Sequence, residues 1–167
     1  MVDLQKVDPQ VASFLSTVET NFEVVEIDPD LADTADFCRE YGYPLDQAAN
    51  TLIVASKRGP KVFSGAVVLA TTRLDVNRRV KNLMEVSRVS FASAGQMMEL
   101  TGMKVGGVTP FGIPPEVPMY VDARVMECEW IILGSGNRDA KIKIAPAVFN
   151  EIPNAQVIED LAMEVEN

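Results

Sequence analysis

Two glycine-rich loops hold the residues whose types and spacing best suit chemistry. The first, Gly-Met-Lys-Val-Gly-Gly-Val-Thr-Pro-Phe-Gly-Ile-Pro-Pro, fills 102–115. In it Gly106, Gly107 and Gly112 surround Thr109-Pro110. Glycine lets a backbone come close to a ligand, and proline stiffens the loop that presents the amides. Two readings follow: a rigid backbone pocket for a small group, or a tight connection between strands. The second loop is Gly134-Ser135-Gly136-Asn137-Arg138-Asp139. A single Gly-x-Gly is a weak sign of phosphate binding, and its place between two apolar runs favours a hairpin loop. Arg138 could hold a phosphate or pair with Asp139.

Other chemistries drop out on composition. The chain has no histidine, so His-based triads, imidazole acid–base catalysis and the common zinc sites are excluded. The two cysteines, Cys38 and Cys128, form no CxxC pair and are expected to be reduced thiols. No GxSxG elbow and no GxxxxGK[ST] loop occurs. Carboxylates are plentiful, but spacing singles out no catalytic pair. Asp122 follows an apolar run, which favours a structural hydrogen bond. Met97, Met98 and Met103 read as core packing.

Charge is unevenly spread. The net charge is −9, which argues against indiscriminate nucleic-acid binding. Residues 1–50 hold eleven acids and two bases, while 57–88 hold eight bases and two acids. The bases are Lys57, Arg58, Lys61, Arg73, Arg78, Arg79, Lys81 and Arg88. They make either a phosphate-facing patch or, as charge alone favours, a solvated helix face with its flanking loops.

The elements that must position these loops follow from pattern. Asp8-Pro9 is an N-cap with proline at the first helical position, and Val11, Phe14, Leu15 and Val18 follow at helical spacing. FEVVEI at 22–27 reads as a strand ended by Asp28-Pro29. A helix is expected over 32–41, stopped by Gly42, and a short helical turn after Pro44. TLIVAS (51–56) and KVFSGAVVLA (61–70) read as a hairpin of strands buried on both faces. Asp75 can cap a helix over 76–84 that keeps Arg78, Arg79 and Lys81 off its apolar stripe. A short strand at 88–91 follows. Ser93 and Gln96 have capping-box spacing before MMEL. Strands are expected at 117–125, 130–134 and 140–144, a helix from Pro146, and a short helix or frayed acidic tail beyond Pro153.

At 167 residues the chain is one domain by length, with enough residues to bury a real core. Hairpins at 51–70 and 117–144, interleaved with short helices, predict an α+β fold with a mixed sheet. No basic leader precedes an apolar run, and the longest apolar stretches, such as 66–70, are too short to span a bilayer. A cytoplasmic location without membrane association is expected.

The segments ANTLIVAS (49–56), VVLATTRLDVNRRVKNLM (67–84), FASAGQMMELTGMKVGGVTPFG (91–112), MYVDARV (119–125) and GSGNRDAKIKIAP (134–146), in this order, resemble the YbaK family. This is the editing domain associated with prolyl-tRNA synthetase, which also exists as freestanding proteins. The likeness spans roughly 22–161, leaving 1–21 as an N-terminal helical extension and 162–167 as an acidic tail. It implies a central, mixed, barrel-like sheet flanked by helices. It also implies hydrolysis of the ester joining a wrong amino acid to its tRNA, with water as nucleophile and without metal or other cofactor. A mischarged tRNA is the implied partner, with an aminoacyl-tRNA synthetase as a possible second.

Carried onto this sequence, the resemblance places catalysis at Asn50, Gly106 and Thr109. Substrate contacts fall to Gly107, Val108, Pro110, Gly112, Gly136, Arg138 and Lys141. The tRNA contacts fall to Lys57, Arg58, Arg73, Arg78, Arg79 and Lys81. One departure stands out. The family's lysine lies just before the strand that begins Thr51-Leu52-Ile53-Val54, where this chain has Asn50. A neutral amide replaces a full charge there, a difference of roughly 2–4 kcal/mol in transition-state stabilisation. Lys57, Lys104 or Lys141 could supply the charge in space. A non-catalytic module that binds an aminoacyl group, a related small ligand or tRNA is the alternative.

Overall fold

The computed structural model describes residues 3–165. Its centre is the hairpin foreseen in the sequence. β2 (Ala49–Ser56) and β3 (Phe63–Leu69) pair antiparallel from Ala49–Leu69 to Ala55–Phe63. Their side chains alternate between two cores, as strands buried on both faces require. Ala49, Ile53, Val67 and Leu69 enter the first core; Val54, Ala66 and Val68 enter the second.

The first core is closed by a smaller sheet: β1 (Phe22–Glu26), β8 (Ala140–Ile144) and β7 (Ile131–Gly134), in the order β1-β8-β7. Ile131, Leu133, Ile142 and Ile144 face the hairpin across this core. α1 (Pro9–Leu15), capped by the Asp8 carboxylate, adds Val11 and Leu15. Residues 9–15 are therefore part of the packed domain. Phe14 and Phe111 stack with ring centroids 5.4 Å apart, which holds α1 on the glycine-rich loop.

The larger sheet has the order β5-β2-β3-β6-β9, where β5 is Val89–Phe91. β6 (Met119–Asp122) runs parallel to β3 and to β9 (Ala155–Ile158). A single parallel bridge, Ala48 to Ile132, joins the two sheets, so the whole is mixed and barrel-like without closing. The second core lies under β4 (Thr72–Leu74) and β10 (Ala162–Glu164), which pair with each other. A third cluster packs α2 (Thr34–Tyr41) against Ile132 through Phe37 and Cys38. Among the described residues no helix is long and apolar enough to cross a membrane.

Several expected elements take a different form. The run 117–125 stops being a strand at Asp122, because that carboxylate accepts the Arg124 N–H and starts α5 (Ala123–Met126). Of 117–144 only β7 and β8 make a hairpin, since β6 pairs in parallel elsewhere. The chain beyond Pro153 is neither helical nor frayed through 164: it supplies β9 and β10. The expected helix at 76–84 opens as a wide π-helical turn, Val76–Val80, before α3 (Lys81–Met84). Pro146–Glu151 is 3₁₀, as is Leu45–Gln47. The capping box forms as expected on α4 (Ala94–Thr101), and Gly42 ends α2 in the left-handed conformation.

Candidate functional site

β2 has a gap on its outer edge. β3 covers one edge throughout. On the other, β7 touches at Ala48 and β5 (Val89–Phe91) begins only opposite Val54. Gly65 gives its N–H to Pro118, and the Ile53 carbonyl accepts from Ala92, so both turn away from the shared ladder. Alternation along an antiparallel pair then turns the Thr51 N–H and C=O to the same outer edge as Ile53. The backbone at Thr51 thus meets the gap, and its Oγ1 is buried with no hydrogen-bond partner.

A cavity of about 250 Å³ occupies this gap. Ala49, Asn50, Thr51 and Leu52 form one wall. Gly106, Val108 and Gly134 form the second, Asp33 and Thr34 the third; Met97 and Lys141 complete it. A larger cavity of about 720 Å³ opens near Arg124, Cys128 and Glu164, but none of the candidate residues from the sequence lines it.

Backbone contact between the two glycine loops builds the second wall. Gly136 N–H donates to the Gly107 carbonyl at 2.6 Å, and Lys104 N–H donates to the Gly136 carbonyl at 3.1 Å. A Cβ on Gly134 would stand 2.6 Å from the carbonyl oxygens of both Gly107 and Val108. One on Gly107 would stand 2.6 Å from the Asn137 carbonyl oxygen. Only glycine permits so close a crossing. Arg138 fastens the outside: its guanidinium donates to the carbonyls of Pro29 and Val105, each at 3.1 Å, and to Asp33 Oδ1 at 3.3 Å. It thereby ties the start of α2 to the glycine loop.

The polar groups of the cavity are few. Thr34 Oγ1 donates to Asn50 Oδ1 at 2.6 Å. Lys141 is 6% exposed, and its Nζ lies 5.5 Å from the centre of the Phe37 ring. Burial is the main cause that lowers its pKa to about 8; Arg138 lowers it further, while Cys38 and Asp33 oppose the shift. At neutral pH the side chain is still mostly an ammonium, but close to losing its proton.

Of the residues singled out in the sequence, Asn50, Gly106, Val108 and Lys141 line one cavity. Gly107, Gly136 and Arg138 hold its wall. Thr109 is fully buried, with an unpartnered Oγ1. Pro110 is buried within the same loop, and Gly112 packs on the Gln10 backbone instead of lining the cavity. Lys57 and Arg58 sit at the β2–β3 turn, Arg73 on β4, and Arg78, Arg79 and Lys81 between β4 and β5. Arg78 pairs with Asp75 at 3.1 Å, and Arg79 donates to the Glu159 carbonyl. The sequence reading passed over Asp33, Thr34 and Thr51. Asp33 and Thr34 opened a helix in an acidic stretch, and Thr51 read as one more strand residue; nothing local set them apart.

The fold is thus mixed α+β, with a small cavity walled by a strand edge and by glycine backbone. The family model of the aminoacyl-tRNA editing domain matches residues 28–152, and the chain belongs to that family. A Bacillus subtilis protein, "Uncharacterized protein YwhH", is 25% identical over 73% of this chain and 82% of its own. An Enterococcus faecalis protein named "Putative Cys-tRNA(Pro)/Cys-tRNA(Cys) deacylase EbsC" is 27% identical over 64% of this chain and 62% of its own. A crystal structure described as "a putative trans-editing enzyme for prolyl tRNA synthetase" superposes with a TM-score of 0.77 at 21% identity, over 95% of this chain and 99% of that one.

Proposed function

We propose that this chain hydrolyses the ester of a mischarged tRNA, the aminoacyl group entering the cavity between β2 and the glycine loops. The observation that carries the reading is a buried ammonium, Lys141, lining the same small cavity as Asn50 and the glycine-loop backbone. Attack of water on the ester carbonyl puts negative charge on that oxygen, and preorganised donors in a dry site stabilise it. Lys141 supplies the full charge that Asn50 lacks. Asn50, with its oxygen held by Thr34, directs its amide N–H groups to the ester or the terminal ribose. The carbonyl–oxygen bond then breaks; the amino acid and the tRNA 3′ hydroxyl are released.

About 250 Å³ lies below the usual range for drug-sized ligands and suits a small aminoacyl group. Delivery by a synthetase, and phosphate contacts from Lys57, Arg58, Arg73 and Lys81, belong to this reading. The non-catalytic alternative has its support in the neutral Asn50. Mischarged tRNAs bearing small amino acids test the two, using wild type, Asn50→Ala, Asn50→Lys and Lys141→Met. Turnover by wild type, lowered about 30- to 1000-fold in Lys141→Met, is expected. Binding without turnover by wild type, with turnover gained in Asn50→Lys, would establish the binding module instead.

A further inference from the structure

A second cavity of about 420 Å³ is lined by Arg73, Asp75, Val76, Asn77, Phe91 and Met163 among others. Phe91 is 54% exposed and Met163 44%. Phe91 pairs with Val54 across the β2–β5 ladder, so the two side chains share a face of the sheet. Asn50 and Leu52 lie on that same face, four and two residues back along β2. Leu52 lines the candidate site and packs on the second core together with Val76, which lines the second cavity. Each cavity thus has a lining residue packed on that core.

The charges around the second cavity favour an anion. Among the described residues no carboxylate lies within ion-pair distance of Arg73. Asp75 is buried and held by Arg78, and Glu164 is held by Arg124. An exposed ring beside a free guanidinium suits a nucleobase and its phosphate, because any base offers a π-face and each phosphate one charge.

We infer that Phe91 is the stacking platform for the terminal base of the RNA strand whose acylated end enters the cavity at Asn50, with Arg73 on a phosphate of that strand; this deepens the deacylase reading and rests on it. The stack would fix how far the ester reaches past Leu52.

Uncharged RNA separates this inference from the activity. Binding is measured for a short RNA ending in CCA and for the same RNA lacking the terminal A. Wild type should prefer the full RNA. Phe91→Ala should erase that preference, weakening the full RNA about 5- to 100-fold and leaving the truncated one unchanged, and Phe91→Trp should restore it. Arg73→Ala should weaken both RNAs and lower the salt slope by about 0.7. Equal affinity of Phe91→Ala and wild type for the full RNA, equal loss on both RNAs, or capture of a protein but no RNA at this face would overturn the inference. Wild-type deacylation with an unmoved Phe91→Ala would sink it while leaving the activity intact. RNA binding through Phe91 without deacylation would sink the activity alone.

Discussion

The Thr34 hydroxyl donates to the Asn50 side-chain oxygen at 2.6 Å, joining the first residue of α2 to the second residue of β2. That bond fixes which end of the Asn50 amide is free. The oxygen is occupied, so the nitrogen, with two N–H donors, is the end left for a substrate.

Thr34→Val keeps the shape of the side chain and removes the donor. Loss of one hydrogen bond to a partly buried amide should cost about 1 kcal/mol of stability. Deacylation should fall about 5- to 30-fold, because Asn50 can then turn. Denaturant midpoints and kcat/KM on one mischarged tRNA check both; a Thr34→Ser variant should restore most of the rate.

The crossing of the glycine loops predicts an unequal response to alanine. Gly134→Ala drives a Cβ into two backbone carbonyls that cannot step aside, and should cost about 2 kcal/mol or more. Gly42→Ala meets no atom within 4 Å and bears only the left-handed φ of +76°, about 1–2 kcal/mol. Thermal unfolding should rank Gly134→Ala below Gly42→Ala, and only the former should also lose substrate affinity.

Asp122 ties down the C-terminal strand. It is 1% exposed, accepts the Ala162 N–H at 2.7 Å and pairs with Arg124 at 3.1 Å. Asp122→Ala takes the most buried partner from that guanidinium, which keeps Asp160, Glu164 and the Ala162 carbonyl, and leaves a buried amide unpaired, at about 1–3 kcal/mol. Hydrogen exchange should show faster exchange at Ala162 and its β10 neighbours, while the amides of β7 and β8 keep their relative order of protection.

Lys141 makes stability depend on pH in a chosen direction. Its folded pKa, about 8, lies below the usual lysine value of 10.5. Between these values the unfolded chain binds the extra proton, so stability rises with pH above about 8 and is lowest where both states are charged. Burial raises the thiols Cys38 and Cys128 and the Tyr120 hydroxyl, which opposes the trend as pH approaches and passes their ordinary values. The unfolded thiols begin to titrate in the same range, so the Lys141 contribution between pH 8 and 9, about 1 kcal/mol, is read as the difference between wild type and Lys141→Met. Lys141→Met should abolish that rise and be no less stable than wild type at pH 7. The catalysed rate, corrected for spontaneous ester hydrolysis, should fall above pH 8 as the ammonium is lost; urea melts and a pH–rate profile measure the two effects.

The α+β class, the β2–β3 hairpin, the Asp8 and Ser93 caps and the stop at Gly42 were legible in the sequence. Each is set within a few residues, by turn chemistry, a side chain reaching its own backbone, or alternation of apolar residues. The close backbone approach at the glycine loops was legible too, from the close spacing of their glycines. Tertiary structure decided the rest. Asp122 caps α5 through a neighbour two residues on, but its bond to the Ala162 N–H, forty residues away, exists only in the folded chain. The tail beyond Pro153 became two strands because β6 and β4 had free edges to pair with. The candidate site itself is a gap between β5 and β7 on one edge of β2, into which residues 33, 51, 97, 106 and 141 converge. No local pattern encodes a missing strand partner; it exists only once long-range pairing has chosen which edges to cover.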